Sequence, residues 1–229
     1  PIQAAIARKL VKTIPIVMLT AGDPVAEGAI DSLARPGGNI TGFAPLSREL
    51  RTKRFGLLTT ALPRLIPTGW LRNTDNSTSA LDLEEMKTAA RALKLQLQLL
   101  NVRGSKPELE GAFKSGVQQR VGAIVTATPL LIDQQKKIPD LAIKHRLPSM
   151  FEGSSWVEAG GMMSYSSDEP ELFRRAAGYV DRILKGAKPG DLPIEQPTTF
   201  ELVINQKTAK ALGITIPPTV MVRADRVIQ

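Results

Sequence analysis

Carboxylates, amides and hydroxyls stand at the downstream ends of short apolar runs in this chain. They are the groups through which it can do chemistry. Thr20, Gly22 and Asp23 follow "TIPIVMLT" (13–20), and Asn73, Asp75 and Asn76 follow "LIPTGWL" (65–71). Thr128 follows "VGAIVTA" (121–127), and Glu152, Ser154 and Ser155 follow "LPSMF" (147–151). Ser164, Tyr165 and Asp168 lie in or just after "GGMMSYSS" (160–167). In open α/β sheets, ligands bind outside the carboxyl ends of the strands. These residue types hydrogen-bond and form ion pairs, so the chemistry they suggest is the holding of a small polar molecule. Each also has local work open to it. Asp23 and Asp168 suit helix caps, and Asn73, Asp75 and Asn76 suit turns. Thr128 precedes a proline and suits a helix start, and Tyr165 suits packing. Glu152 is the sharpest case, because a carboxylate directly after a buried strand costs solvation unless it is paired. A ligand ammonium and a surface exit are its two readings.

No comparable set for breaking bonds is present. The chain has no cysteine, which excludes disulfides and thiol chemistry, and its one histidine, His145, excludes sites built on several imidazoles. "RPGGNITG" (35–42) has glycines without the spacing of a dinucleotide fingerprint or a phosphate loop, and no G-x-S-x-G elbow occurs. No metal-ligand spacing is found, so neither a metal nor a cofactor is expected. The net charge of +8 raises nucleic acid as a partner. Lys and Arg are spread along the chain, however. The densest cluster, Arg48, Arg51, Lys53 and Arg54, has little aromatic interleaving and reads as basic soluble surface.

The elements that must position these groups alternate strand with helix. The runs 13–20 and 121–127 read as buried parallel strands. The run 65–71 reads as a poor strand because of Pro67 and Gly69. "LQLQLLNV" (95–102) alternates apolar and polar, as at a sheet edge. A helix is expected after Asp23, with Pro24 at its first position, and another from Ser47. Others are expected over 78–93, from a Ser105–Glu108 capping box, and over about 130–146, where Pro139 should kink or split the helix. From Asp168 to Lys185, Leu172, Phe173, Ala176, Ala177, Val180, Ile183 and Leu184 form the strongest helical stripe and are expected to be buried. Asn205 should cap a short helix. Repeated β-then-α units imply an α/β fold of parallel sheets with helices on both faces.

Three stretches together carry a family resemblance: "IPIVMLTAGDPVAEGAIDSLARPGGNITGF", "EAGGMMSYSSDEPELFRRAAGYVDRILKGAKPGDLPIEQPTTFELVINQKTAKALGITIPP" and the closing "RADRVI". They resemble the ABC transporter substrate-binding proteins of the tryptophan/tyrosine-type uptake group. The resemblance implies the two-lobed type I periplasmic-binding-protein fold, each lobe a doubly wound parallel sheet. Residues 1–45 would be part of lobe 1, 46–166 lobe 2, 167–195 a return to lobe 1, and 196–229 a hinge strand and C-terminal segment of either lobe. The start inside "PIQAAIARKLVK" then reads as the helix before the fourth strand of lobe 1. Lobe 1 would be incomplete, with an unpaired edge or an exposed apolar face.

By position, the resemblance implies that Asp23, Asn73, Thr128, Glu152, Tyr165 and Asp168 contact the ligand. Two places depart from the family pattern. Relatives often read "LWNP" where this chain has "LRNT" (71–74), so Arg72 takes an aromatic place. Where some relatives carry an acidic residue at 126–129, this chain has "TATP", which removes a partner for an amino-acid ammonium and opens the site to a more anionic or neutral ligand. The function implied is non-enzymatic capture of a small molecule, an amino acid or related small carboxylate, between two hinged lobes. The partner would be an ABC permease, the location periplasmic or extracytoplasmic, and the membrane contact indirect. A ligand-sensing domain of a regulator shares this fold, and an α/β enzyme is disfavoured by the lack of a convergent catalytic set.

Overall fold

The computed structural model describes the chain apart from residues 1, 20–22, 26–27, 45–46, 66, 76–78 and 127–128, and apart from the side chains of 2–3, 47–48, 79–81 and 129. It divides into two compact units. Unit 1 comprises Pro1–Ser47 and Ser167–Phe200; unit 2 comprises Arg48–Ser166 and Glu201–Gln229. The chain therefore passes from one unit to the other three times.

Unit 2 is built on parallel β-α repeats. Strands β3 (Pro67–Asn73), β4 (Gln96–Val102), β5 (Ala123–Thr126), β6 (Ser149–Phe151), β7 (Met163–Ser167), β8 (Phe200–Asn205) and β9 (Arg226–Ile228) form one sheet in the order β4-β3-β5-β6-β7-β8-β9. Pairing is parallel between β3 and both β4 and β5, and onward from β5 to β6 and β6 to β7. Alternation of side chains sends Trp70, Val125, Met150 and Met163 to one face. There they meet Phe55, Leu57 and Leu58 of α2 (Ser47–Ala61) and Met86, Ala89 and Ala90 of α3 (Ser79–Ala92). Leu71, Ile124 and Phe151 go to the other face, against Leu109, Ala112 and Phe113 of α4 (Leu109–Gln118) and Ile138 and Leu141 of α5 (Lys137–Lys144). Strand β4 lies at the edge, as its alternation predicts.

Strand β3 is better than its sequence suggests. It runs seven residues, and from Thr68 to Asn73 every one is buried. A Cβ on Gly69 would stand 2.8 Å from Leu100 Cδ1 and 3.0 Å from Ile124 Cδ1, so glycine here lets the side chains of the neighbouring strands β4 and β5 pack over β3. The expected break at Pro139 falls earlier. Pro129–Gln134 form a 3-10 turn, and α5 starts at Lys137, leaving Pro139 in the first turn, where its missing N–H costs nothing. The expected Ser105 capping box is displaced too: Glu108 is the N-cap of α4, its carboxylate accepting from Gly111 N.

Unit 1 holds α1 (Ile2–Leu10), the parallel pair β1 (Ile16–Leu19) and β2 (Ile40–Phe43), and α7 (Glu169–Leu184). The helix expected after Asp23 does not form in the described residues; 23–25 and 28–36 make turns and bends, with Ala29 N donating to Pro24 O at 2.8 Å. Gly28, at φ +70°, takes a left-handed conformation that ends any helical turn there. In the middle of β2, Gly42 has φ +131°, and a Cβ would meet Met18 O at 2.1 Å. Strand β2 is held further by Ala44 N donating to Glu195 O and Thr41 Oγ1 donating to Leu192 O at 2.8 Å.

The α7 stripe is only half buried, contrary to its expected burial. Ala176 and Tyr179 are buried, and Leu172 and Ile183 pack against them with Phe43. Phe173, Val180 and Leu184 are 64%, 43% and 82% exposed. A two-stranded sheet is too narrow to cover an apolar face this wide.

Candidate functional site

The registers of unit 2 bring its strand ends level. Leu71 stands beside Thr126, and Phe151 beside Ser164. One step further on, Arg72, Glu152 and Tyr165 continue the face that carries Trp70, Met150 and Met163, which is the face covered by α2. Helix α2 brings a charge to that rim. Arg54 is 8% exposed, and its Nε donates to the Tyr165 carbonyl at 2.7 Å. Burial lowers its pKa to about 10; the negative charge of Glu152 works against that fall, and Arg51 adds to it. The guanidinium therefore stays charged at neutral pH, in a place poor in water. Arg51 is committed elsewhere, to Asp82 and Glu85 of α3. The Lys53 ammonium lies 6.0 Å from the centroid of the Tyr165 ring, and the Arg72 guanidinium lies 4.8 Å from that of Trp70.

Of the six residues singled out from the sequence, three share this sheet. Glu152 and Tyr165 lie together around Arg54. Asn73 is buried at the end of β3 and works locally, its Nδ2 donating to Gly104 O at 3.0 Å and its Oδ1 accepting from Asp75 N at 3.0 Å. It ties the end of β3 to the loop after β4. Asp23 and Asp168 belong to unit 1. Asp168 Oδ1 accepts from Glu171 N as the N-cap of α7, the capping role its position suggests, whereas Asp23 caps no helix among the described residues: its Oδ1 accepts from Val25 N, two residues on, in a local turn. Thr128 lies outside the described residues.

Sequence reasoning passed over Arg54 by grouping it with surface cations. The signal was there: Leu50, Arg54, Leu57, Leu58 and Ala61 share one helical stripe, so the helix that buries the leucines buries the arginine. Two hydroxyls on the opposite face of the same strand ends, Thr126 Oγ1 and Ser164 Oγ, are buried with no hydrogen-bond partner among the described residues. His145 belongs to neither group. It stacks on Phe113 and faces Glu110 at 3.3 Å, away from the rim. No cluster of three or more His, Asp or Glu able to hold a metal occurs among the described residues. What the rim offers is a buried cation, a nearby carboxylate and an aromatic ring: groups that hold an ionic, partly apolar molecule.

The sequence of the chain matches the family described as ABC transporter substrate binding protein over residues 2–228. This chain belongs to that family. Its members bind solutes and are not enzymes, in keeping with the rim's chemistry. The chain is 26% identical over 212 residues to a tyrosine-binding protein of Clostridioides difficile (strain R20291). That alignment takes in 92% of this chain but only 60% of the relative's length. A crystal structure from Streptococcus pneumonia, of an ABC domain in complex with L-Trp, matches with TM-score 0.87 and 26% identity over 98% of this chain and 77% of that one. A conserved domain protein of Vibrio cholerae matches with TM-score 0.88 and 27% identity over 98% of this chain and 75% of its own. The fold is thus the parallel-sheet α/β fold of periplasmic binding proteins. No helix among the described residues is long and apolar enough to cross a membrane.

Proposed function

We propose that this chain captures an aromatic amino acid, or a small carboxylate related to one, for an ABC importer, with the rim of the unit 2 sheet as a contact surface. The buried Arg54 beside Glu152 and Tyr165 carries this reading. A buried guanidinium is costly unless anions meet it, and a ligand carboxylate at the rim offsets part of that cost. Glu152 suits the ligand ammonium, and the Tyr165 ring, already near a cation, suits an aromatic side chain. Asn73 sets the loop at the rim. Asp23, Thr128 and Asp168 remain proposed contacts through the family resemblance. The tyrosine-binding relative and the L-Trp complex support the choice of an aromatic amino acid. The permease as partner and an extracytoplasmic location are proposed from family membership.

Calorimetric titration with L-tryptophan, L-tyrosine and succinate tests the reading. Saturable binding of an aromatic amino acid is expected, weakened at least about tenfold in Arg54→Ala, since charge-assisted hydrogen bonds to a carboxylate are among the stronger polar contacts. Absence of saturable binding to all three, or equal affinity in Arg54→Ala, would overturn it.

A further inference from the structure

Among the described residues, six helices end in the same turn. The first N–H past the C-cap donates three residues back, and the next donates five back. The residue carrying the first of these N–H groups has a positive φ in every case. After α6 (Ser154–Glu158), α7 and α8 (Gln206–Ala211) it is a glycine: Gly160, Gly186 and Gly213. After α3, α4 and α5 it is a cation: Lys94, Arg120 and Arg146, at φ +58°, +55° and +56°. A Cβ is disfavoured in this region, and glycine escapes the penalty. The helix dipole favours a cation at any helix C-terminus, so it does not explain why only three of the six carry one at this place.

What the three share is position. Their turns lead into β4, β5 and β6 of unit 2, and the turn into β3 carries a fourth cation, Arg64. These strands are parallel neighbours in the order β4-β3-β5-β6, so the four turns stand side by side along the N-terminal edge of the sheet. The rim with Glu152 and Tyr165 is at the opposite edge. All four turns come from one continuous stretch of unit 2, Arg48–Ser166. The four cations are exposed, and none has an ion pair or side-chain hydrogen bond among the described residues. By contrast, Arg51, Lys87, Lys136, Lys144 and Arg226 of the same unit each face a carboxylate. The turns themselves, residues 62–67, 92–95, 118–122 and 144–148, contain no Asp or Glu. In the next turn along, Glu158 is already paired with Arg226.

We propose that this edge of unit 2 docks on an anionic lipid surface. Unpaired charge held in a disfavoured backbone conformation points to a partner that supplies the counter-charge. Neighbouring strands lie about 4.8 Å apart, so the row of turns is about 15 Å long. One cation per strand along such a row suits an extended array of headgroup phosphates rather than one small anion. The importer role proposed above brings the chain to a bilayer, which favours lipid over nucleic acid. The ligand rim, at the other edge of the sheet, stays clear of the contact.

Co-sedimentation of the 229-residue chain with vesicles tests this without any ligand, and so separately from solute capture. The chain should bind phosphatidylcholine vesicles containing about 30% phosphatidylglycerol, and not phosphatidylcholine alone. Binding should weaken steeply between about 50 and 300 mM salt as the Debye length contracts. Each basic side chain near such a surface contributes about fivefold, so the triple variant Lys94→Gly, Arg120→Gly, Arg146→Gly should bind at least about thirtyfold more weakly. Its melting temperature should equal or exceed the parent's, because glycine relieves the left-handed positions. Lys185→Glu with Lys188→Glu removes comparable positive charge from unit 1 and should leave binding within about threefold of the parent. Equal binding to both kinds of vesicle, or a glycine variant that binds like the parent, would overturn the proposal. So would an equal loss in the unit 1 variant, which would assign the attraction to net charge. Tighter binding to a DNA duplex than to the anionic vesicles at the same salt would assign the row to nucleic acid instead.

Discussion

Arg54 occupies a place that the periodicity of its helix reserves for an apolar residue, and that has a measurable cost. Depression of its pKa to about 10 by burial corresponds to a penalty on the order of a few kcal/mol at neutral pH. The sign is that of a cation held less tightly when folded. Only above about pH 10, short of the higher pKa of the unfolded side chain, does the unfolded chain hold the extra proton, and there this group's penalty is relieved as pH rises. Arg54→Met should therefore raise stability in urea by about 1–3 kcal/mol while removing ligand binding, the trade expected of a functional buried charge. A fall in stability would instead assign Arg54 to holding the Tyr165 carbonyl. Glu152→Gln should act the other way, costing about 1 kcal/mol by leaving the guanidinium less compensated. The carboxylate and the ring of this site were legible from their positions after apolar runs. Their cation was hidden, because a run of four basic residues resembles solvated surface until helix α2 is seen to turn one of them inward.

Among the elements, the pair β1–β2 depends on one residue without a side chain. Gly42→Ala would force a Cβ onto the backbone of Met18 at a φ that L-residues avoid. A loss of about 3 kcal/mol in unit 1 is expected, read by hydrogen exchange of Ile16–Leu19. Helix α7 is tied to the same sheet by Tyr179, whose hydroxyl donates to Pro193 O at 2.7 Å and lies 2.8 Å from a Glu195 carboxylate oxygen. Burial raises its pKa above the ordinary 10.0. Below that value the contribution is whole. As pH climbs past it, the unfolded chain ionises first and stability falls until the folded phenol ionises too. Phenolate absorbance of Tyr165→Phe, which leaves Tyr179 as the chain's one tyrosine, should rise at a pH above that of free tyrosine. The stabilising advantage of the parent over Tyr179→Phe should shrink over the same range. Elements with a single strong period, such as α7 and β4, could be located from sequence. The helix expected after Asp23 and the poor strand at 65–71 could not. In the first, a left-handed glycine overrides good capping chemistry; in the second, packing of neighbours around Gly69 overrides poor strand propensity.

At the scale of the whole molecule, the two units differ in what holds them. Among the described residues, unit 2 has helices on both faces of its sheet and two large apolar clusters, whereas unit 1 has a two-stranded sheet with two small ones. Native-state hydrogen exchange should therefore show amides of β3 and β5 protected longest and those of β1 exchanging by opening of unit 1 alone. A single protection factor across both units would contradict this. From sequence alone came the α/β class, the run of β-α units, the edge position of β4 and the family, because local periodicity and an ordered series of motifs are properties of the chain itself. Tertiary structure alone decided that Arg54 is buried beside Glu152 and Tyr165, and that half of the α7 stripe faces water. Periodicity says which residues share a face. What lies opposite that face depends on how many strands and helices arrive to cover it, and those come from distant parts of the chain.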